Sequence, residues 1–282
     1  MTPARIAVVT DSAACLPVPM AERLGVTVVP LTVLVGGRAH ADLVDITSGE
    51  VAAALRRRVP VSTSRPSPKA LAQAYGQAVD RGAEGIVSVH LSGELSGTWE
   101  AARLAADDLP VEVRVVDSRS LGMGLGFGAL AAAEVAAKDG DLAEVARVAA
   151  ERSAAGTVLF SLDTLEHLRR GGRIGAAQAL LGSALAVKPL LHLVDGRVEP
   201  FEKVRTAARA VARLEELALA AAGSATVDVA VHHLDAGERA SALAARLSAR
   251  LPGVGECFVS EVSGAVGAHV GPGLLGVVLS PR

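Results

Sequence analysis

Short aliphatic and β-branched runs alternate along this chain with longer stretches in which Ala, Leu and Arg recur at helical spacing. Residues 6–9, 26–34, 85–89, 111–117, 158–161, 190–194, 227–232, 257–262 and 274–279 read as strands. Residues 48–58, 67–81, 96–107, 125–138, 142–154, 206–221 and 237–251 read as helices. Such alternation predicts βαβ units, and so an α/β protein with mainly parallel sheets. Asp195-Gly196 separates two strand-like runs, a two-residue hairpin signal that predicts one antiparallel pair in the second half. A long helical stretch ends near Gly156 and a new strand starts there. The expected division is therefore 1–156 and 157–282, two α/β lobes with a ligand cleft between them.

Composition narrows the picture. Half of the 282 residues are hydrophobic but only 2% are aromatic, so the core must be built from many small Ala, Val and Leu contacts. A net charge of -2 gives no basic field of the kind nucleic acid demands. Cys15 and Cys257 have no metal-ligand spacing and are expected to be buried free thiols of a reducing compartment. No apolar run reaches the roughly 18 residues a membrane span needs, and the first residues lead directly into a strand rather than a signal peptide. A soluble, cytoplasmic protein is expected.

Several segments carry chemistry. The first strand ends in Thr10-Asp11-Ser12, which suits both a helix cap and a ligand beyond the carboxyl end of a parallel strand. Ser62-Thr63-Ser64-Arg65-Pro66-Ser67 places hydroxyls before a helix start, either an anion site or an ordinary Ser/Pro loop. Ser92-Gly93-Glu94-Leu95-Ser96-Gly97-Thr98 combines glycines that allow close backbone approach with hydroxyls that can bind a carboxylate or phosphate. Gly93 lies three residues before Ser96, so the G-x-S-x-G elbow of a serine nucleophile is absent. Gly124-Leu125-Gly126-Phe127-Gly128-Ala129 fits a loose dinucleotide pattern. Its glycines are too far from the strand end to hold a pyrophosphate, and close helix packing is the expected role. No P-loop occurs. Residues 163–175 read as a short helix with a basic last turn, stopped by Gly171-Gly172, which leaves Arg173 in a loop. His232 and His233 are adjacent and point apart on a strand, whereas His269 is expected in a rigid Gly/Pro loop, residues 267–273.

These pieces, in this order and over nearly the whole chain, resemble the DegV family. The family pattern reads T-D-S, T-S-x-P-S, L-S-G-T, D-S-R, D-T-L-x-x-L-x-x-G-G-R-I, K-P and G-x-H-x-G-P-G. The matching positions are 10–12, 63–67, 95–98, 117–119, 163–174, 188–189 and 267–273. Arg65 stands where the family usually has Gln, Trp99-Glu100 where Tyr-Gln is common, Gly93 for a frequent Ser and Val270 for a frequent Thr.

The resemblance implies a fatty-acid-binding protein without catalytic residues, metal or cofactor of its own. It implies the acyl-binding subunit of a bacterial fatty acid kinase, whose separate ATP-using subunit phosphorylates the bound carboxylate for phospholipid synthesis. By motif matching, Thr63 and Ser96 would bond the carboxylate of a long-chain fatty acid, with Ser64 and Gly97 beside them. His269 would close over the head group, Arg173 would join its network, and Arg205 would lie on the kinase-docking face. Two rivals remain: a hydrolase or phosphotransferase using Ser96 and His269, and a regulatory module that responds to lipid.

Overall fold

The computed structural model describes residues 5–180 and 187–282. Elements are labelled in chain order. The chain makes two compact units, one from residues up to Thr32 together with Ser64–Ala155, the other from Val33–Thr63 together with Gly156–Arg282. The single cut expected near Gly156 leaves residues 33–63 in the first lobe, whereas they pack within the second unit. No local signal marks that excursion, because the partners of 33–63 lie far along the chain. Gly264 sits against Val51 and Val33, and a Cβ there would come within 3.0 Å of Val51.

In the first unit, β1 (Ile6–Asp11), β2 (Thr27–Val29), β6 (Gly85–His90) and β7 (Glu112–Asp117) form a sheet in the order β2-β1-β6-β7. All its pairings are parallel. Every residue of β6 is buried, as a central parallel strand covered on both faces requires. The helix α3 (Pro68–Asp80) starts where Ser67 accepts a hydrogen bond from Ala70 N and Pro68 takes the first helical position. Its Leu71, Ala74, Tyr75 and Ala78 recur every three or four residues, and that stripe packs on Val9 and Ile86 of the sheet. The glycine-rich run expected to serve packing does so. It lies inside α5 (Met123–Ala136), nearly all of which is buried, and α6 (Leu142–Ala154) packs against it. A Cβ on Gly128 would sit 2.8 Å from Ala149 O and would overlap Ser153.

The second unit holds a six-stranded sheet, order β10-β9-β8-β13-β11-β12. Its strands are β8 (Thr157–Ser161), β9 (Lys188–Val194), β10 (Arg197–Val204), β11 (Thr226–His233), β12 (Gly253–Glu261) and β13 (Leu275–Pro281). The β9–β10 hairpin turns at Asp195 and Gly196, with φ of 49 and 80, the left-handed pair such a turn demands. The antiparallel character extends further than that one hairpin. β8 pairs antiparallel with β9 and β13, β13 with β11, and only β11–β12 is parallel. Two helices, α8 (Ala207–Ala222) and α9 (Gly237–Arg250), supply Leu214, Leu243 and Leu247 to a core shared with Val229, Val231 and Val277. Each such buried aliphatic side chain contributes about 1.5–3 kcal/mol.

The excursion adds β3 (Thr32–Val35), β4 (Arg38–Ala41) and β5 (Val61–Ser64), a small sheet of order β4-β3-β5, and the helix α2 (Ser48–Arg56). The capping box of Thr47 and Glu50 opens α2. β5 occupies the Ser/Thr/Pro segment that reads as a loop. Val61 and Thr63 are half-buried while Ser62 and Ser64 are exposed, a period of two that the hydroxyl-rich composition obscures. Cys15 is buried as expected, but Cys257 is exposed. It lies on β12, an edge strand that pairs on one side only. Among the described residues no helix is long and apolar enough to cross a membrane.

Candidate functional site

The first unit gathers polar groups at the carboxyl ends of β1 and β6. Asp11 caps a 3-10 turn, Ser12–Ala14, its Oδ1 accepting from Ala13 N at 3.0 Å. Its Oδ2 accepts from Leu91 N at 3.1 Å and pairs with His90 Nδ1 at 2.9 Å. His90 Nε2 lies 2.8 Å from Ser88 Oγ, and Tyr75 OH donates to that same Oγ at 2.8 Å. With one proton on the imidazole, the donors and acceptors run in a single order. Tyr75 donates to Ser88, Ser88 uses its one proton on His90 Nε2, and the His90 Nδ1–H donates to Asp11. All four side chains are fully buried. Burial pushes the Tyr75 hydroxyl up to about 12, partly offset by its bond to Ser88. The geometry imitates an Asp-His-Ser triad, but Ser88 is closed to any substrate. It is a structural polar chain.

Asp11 thereby anchors the start of the loop that carries Ser96. Ser92 N donates to Ser120 O at 2.9 Å, and Gly93 N donates to Asp117 Oδ1 at 3.2 Å. Arg119 N shares that carboxylate oxygen at 2.9 Å, so Asp117 joins two loops. Leu95 N and Ser96 N turn back to Ser92 O. The half-buried Ser96 is bonded to Thr98 through their hydroxyls, 2.9 Å apart, and not to a base. Gly97 caps α4 (Thr98–Ala106) without a side-chain bond, and its carbonyl accepts from Arg65 Nη1 at 3.2 Å.

The second unit brings Thr63, His269 and Arg173 together. Thr63 Oγ1 stands 2.7 Å from His269 Nε2, although 206 residues separate them in sequence. His269 is in the last turn of a short helix, α10 (Gly264–Val270), rather than in the expected Gly/Pro loop. Ser263 caps that helix, and Gly264 and Gly267 are needed for close packing on Val51 and Leu234, so tertiary contact overrides their poor helix propensity. The imidazole rests against Gly171, where a Cβ would overlap it. Arg173 Nη1 donates to Gly171 O at 2.6 Å. Burial first, and then the Arg173 charge, push His269 down to about 4, so the ring is neutral at physiological pH. Its Nδ1 is shut off from solvent and has no hydrogen-bond partner among the described residues.

Two motifs, about a hundred residues apart in sequence, interlock here. Gly271 (φ 77) leaves room for His167, and Gly273 (φ 89) leaves room for Asp163, whose carboxylate pairs with Lys188 at 2.7 Å. In α7 (Glu166–Arg170), Glu166 accepts from Arg169 and Arg170, which hold its carboxyl down to about 2.

The other expected residues are placed as follows. Ser64 is exposed at the end of β5, in the first unit's share of the chain, and Gly97 is part-exposed beside Ser96. Arg205 is exposed in the bend between β10 and α8. Residue typing alone missed His90 and Ser88. Their i, i+2 spacing on a strand puts both on one face, which is the available signal. Among the described residues no group of three or more His, Cys, Asp or Glu could hold a metal ion.

The family model described as "Uncharacterised protein, DegV family" matches residues 5–282. A DegV domain-containing protein of Streptomyces coelicolor is 57% identical over 277 residues, covering 98% of this chain and 99% of that protein. A solved structure described as fatty acid binding of a DegV family protein from Thermus thermophilus has 36% identity and a TM-score of 0.93, covering 99% of this chain and 100% of that one. DegV of Bacillus subtilis, described as a fatty acid binding protein, has 31% identity and a TM-score of 0.89, covering 98% and 99%.

Proposed function

Since the chain belongs to the DegV family, we propose that it binds a long-chain fatty acid and presents it to a separate ATP-dependent kinase subunit. The observation that carries the reading is the full-length likeness to a solved DegV protein described as binding fatty acid. The Thr63–His269 pair supports it chemically.

A fatty acid has two unlike ends. Burying a tail of ~15 methylenes gains about 0.8 kcal/mol each, roughly 12 kcal/mol gross, from which ordering costs are subtracted. An Ala/Leu/Val-rich interior with few aromatics is suited to surround such a tail. The carboxylate must be hydrogen-bonded once it leaves water. A neutral His269 that donates Nε2–H to Thr63 Oγ1 leaves the Thr63 hydroxyl proton for the ligand. Each charge-assisted bond of that kind contributes about 1.5–3 kcal/mol. Arg173, held on Gly171 O, keeps a positive charge near this pair. Within the first unit, Ser96 and Gly97 offer a hydroxyl and a turn at the start of α4. Hydroxyl donors hold a carboxylate without clamping both oxygens, so one stays available to a phosphoryl donor. The chain supplies no P-loop, so that donor belongs to the partner, and the exposed Arg205 is a docking residue for it.

The test uses Thr63→Val, Ser96→Ala and His269→Gln. We expect each to weaken binding of a fluorescent fatty acid at least about tenfold. Mass spectrometry of extracted lipid should recover a long-chain acid from the unaltered protein. With a purified fatty acid kinase subunit and ATP, that acid should be phosphorylated. Unchanged affinity and unchanged phosphorylation in all three variants would reject the assignment.

A further inference from the structure

Arg65 follows β5 directly and lies against the turn that starts α4. Its Nη1 donates to Gly97 O at 3.2 Å. A Cβ built on Gly97 would run into this guanidinium and would also come within 3.2 Å of Glu100 Oε2. A fixed cation and a carboxylate therefore flank the residue between Ser96 and Thr98, and both side chains are exposed. The bond to Gly97 engages one of the five N–H groups of the fork. Gly97 caps α4 without a side-chain bond. The first-turn N–H groups of α4 thus put the positive end of a helix dipole where the guanidinium already sits. Like charges at one end of a nine-residue helix repel until an anion joins them. The first-turn Glu100 offsets part of that repulsion.

We propose that Arg65 sets the charge selectivity of the head-group site at Ser96–Thr98, biasing it toward a single-chain lipid with a phosphate head over the same chain with a carboxylate head. A phosphate monoester carries about −1.5 to −2 charge at neutral pH against −1 for a carboxylate, so it gains more from the same cation. The planar fork also matches two phosphate oxygens at once, which an ammonium does not. Glu100 works against the bias by repelling the more negative head. The inference rests on the fatty-acid-binding reading, and the experiment separates the two.

Delipidated full-length protein is titrated with palmitate and with hexadecyl phosphate, each displacing a fluorescent fatty acid, at low and at high salt. Arg65→Gln is expected to weaken both ligands, and hexadecyl phosphate about 3–10-fold more than palmitate. Arg65→Lys should recover less of that ratio at high salt than at low salt. Glu100→Gln should move the ratio the opposite way, and it carries the test if Arg65→Gln folds poorly. A ratio unmoved by either Gln variant, with the unaltered protein binding both lipids, overturns the inference alone. An unaltered protein that takes up neither lipid overturns the binding reading and the inference with it.

Discussion

Two histidines, one in each unit, are held in opposite ways. His90 has both ring nitrogens bonded, one to Ser88 and one to Asp11, inside a chain whose every side chain has a partner. His269 has one nitrogen bonded to Thr63 and the other sealed from solvent without a partner. A satisfied buried network specifies a fold, whereas an incompletely satisfied one is kept at a cost. The contrast gives the first histidine a structural role, while the second is the one that the proposed reading turns toward a ligand.

The largest expected effect breaks the satisfied side. Asp11→Ala strips the acceptor from His90, Ala13 N and Leu91 N together, and should cost about 3–5 kcal/mol in urea denaturation. A loss under about 1 kcal/mol would erase the distinction between the two histidines. Acid should produce the next effect. His232, pushed down to about 4 chiefly by burial, and His269, also at about 4, resist protonation in the folded protein. The unfolded chain binds those protons near the ordinary 6.5. The unfolded state therefore holds more protons between those values, and stability falls as pH drops from 6.5 toward 4 and then levels. His232 contributes up to about 3 kcal/mol of that loss and the part-exposed His269 less. Denaturation midpoints across that window should show the slope, and His232→Asn should flatten it. Gly171→Ala should have the smallest effect, about 1–3 kcal/mol, because its helical backbone accepts Ala and only the imidazole must move. Proton NMR should then find His269 titrating closer to 6.5. An unmoved titration would mean that Gly171 does not hold the ring.

Alternation of strand and helix signals revealed the parallel sheet, the Asp195-Gly196 hairpin and most helices, because these depend on local periodicity and turn chemistry. The helix bearing His269 was hidden, since Gly264 and Gly267 read as loop until their packing partners are known. The mixed pairing of the second sheet was hidden for a related reason, because β13 inserts between β8 and β11 from the far end of the chain. Thr63 and His269 each stood out by local surroundings, but they could be joined in one site only through a resemblance, as no local pattern links positions 206 residues apart. Arg65 stood out as a departure, but its contact with Gly97 needed three dimensions.

The interleaving of the two units has a consequence for biosynthesis. The polypeptide passes from one to the other at 32–33, again at 63–64, and finally at 155–156. Neither can be excised as an unbroken fragment. On the ribosome, Val33 and Val51 must wait for Gly264, the neighbour they pack against. At roughly 5–20 residues per second that delay lasts about 10–40 s. The nascent protein thus carries an unfinished apolar insert through most of its translation, a stretch that holdase chaperones are suited to shield.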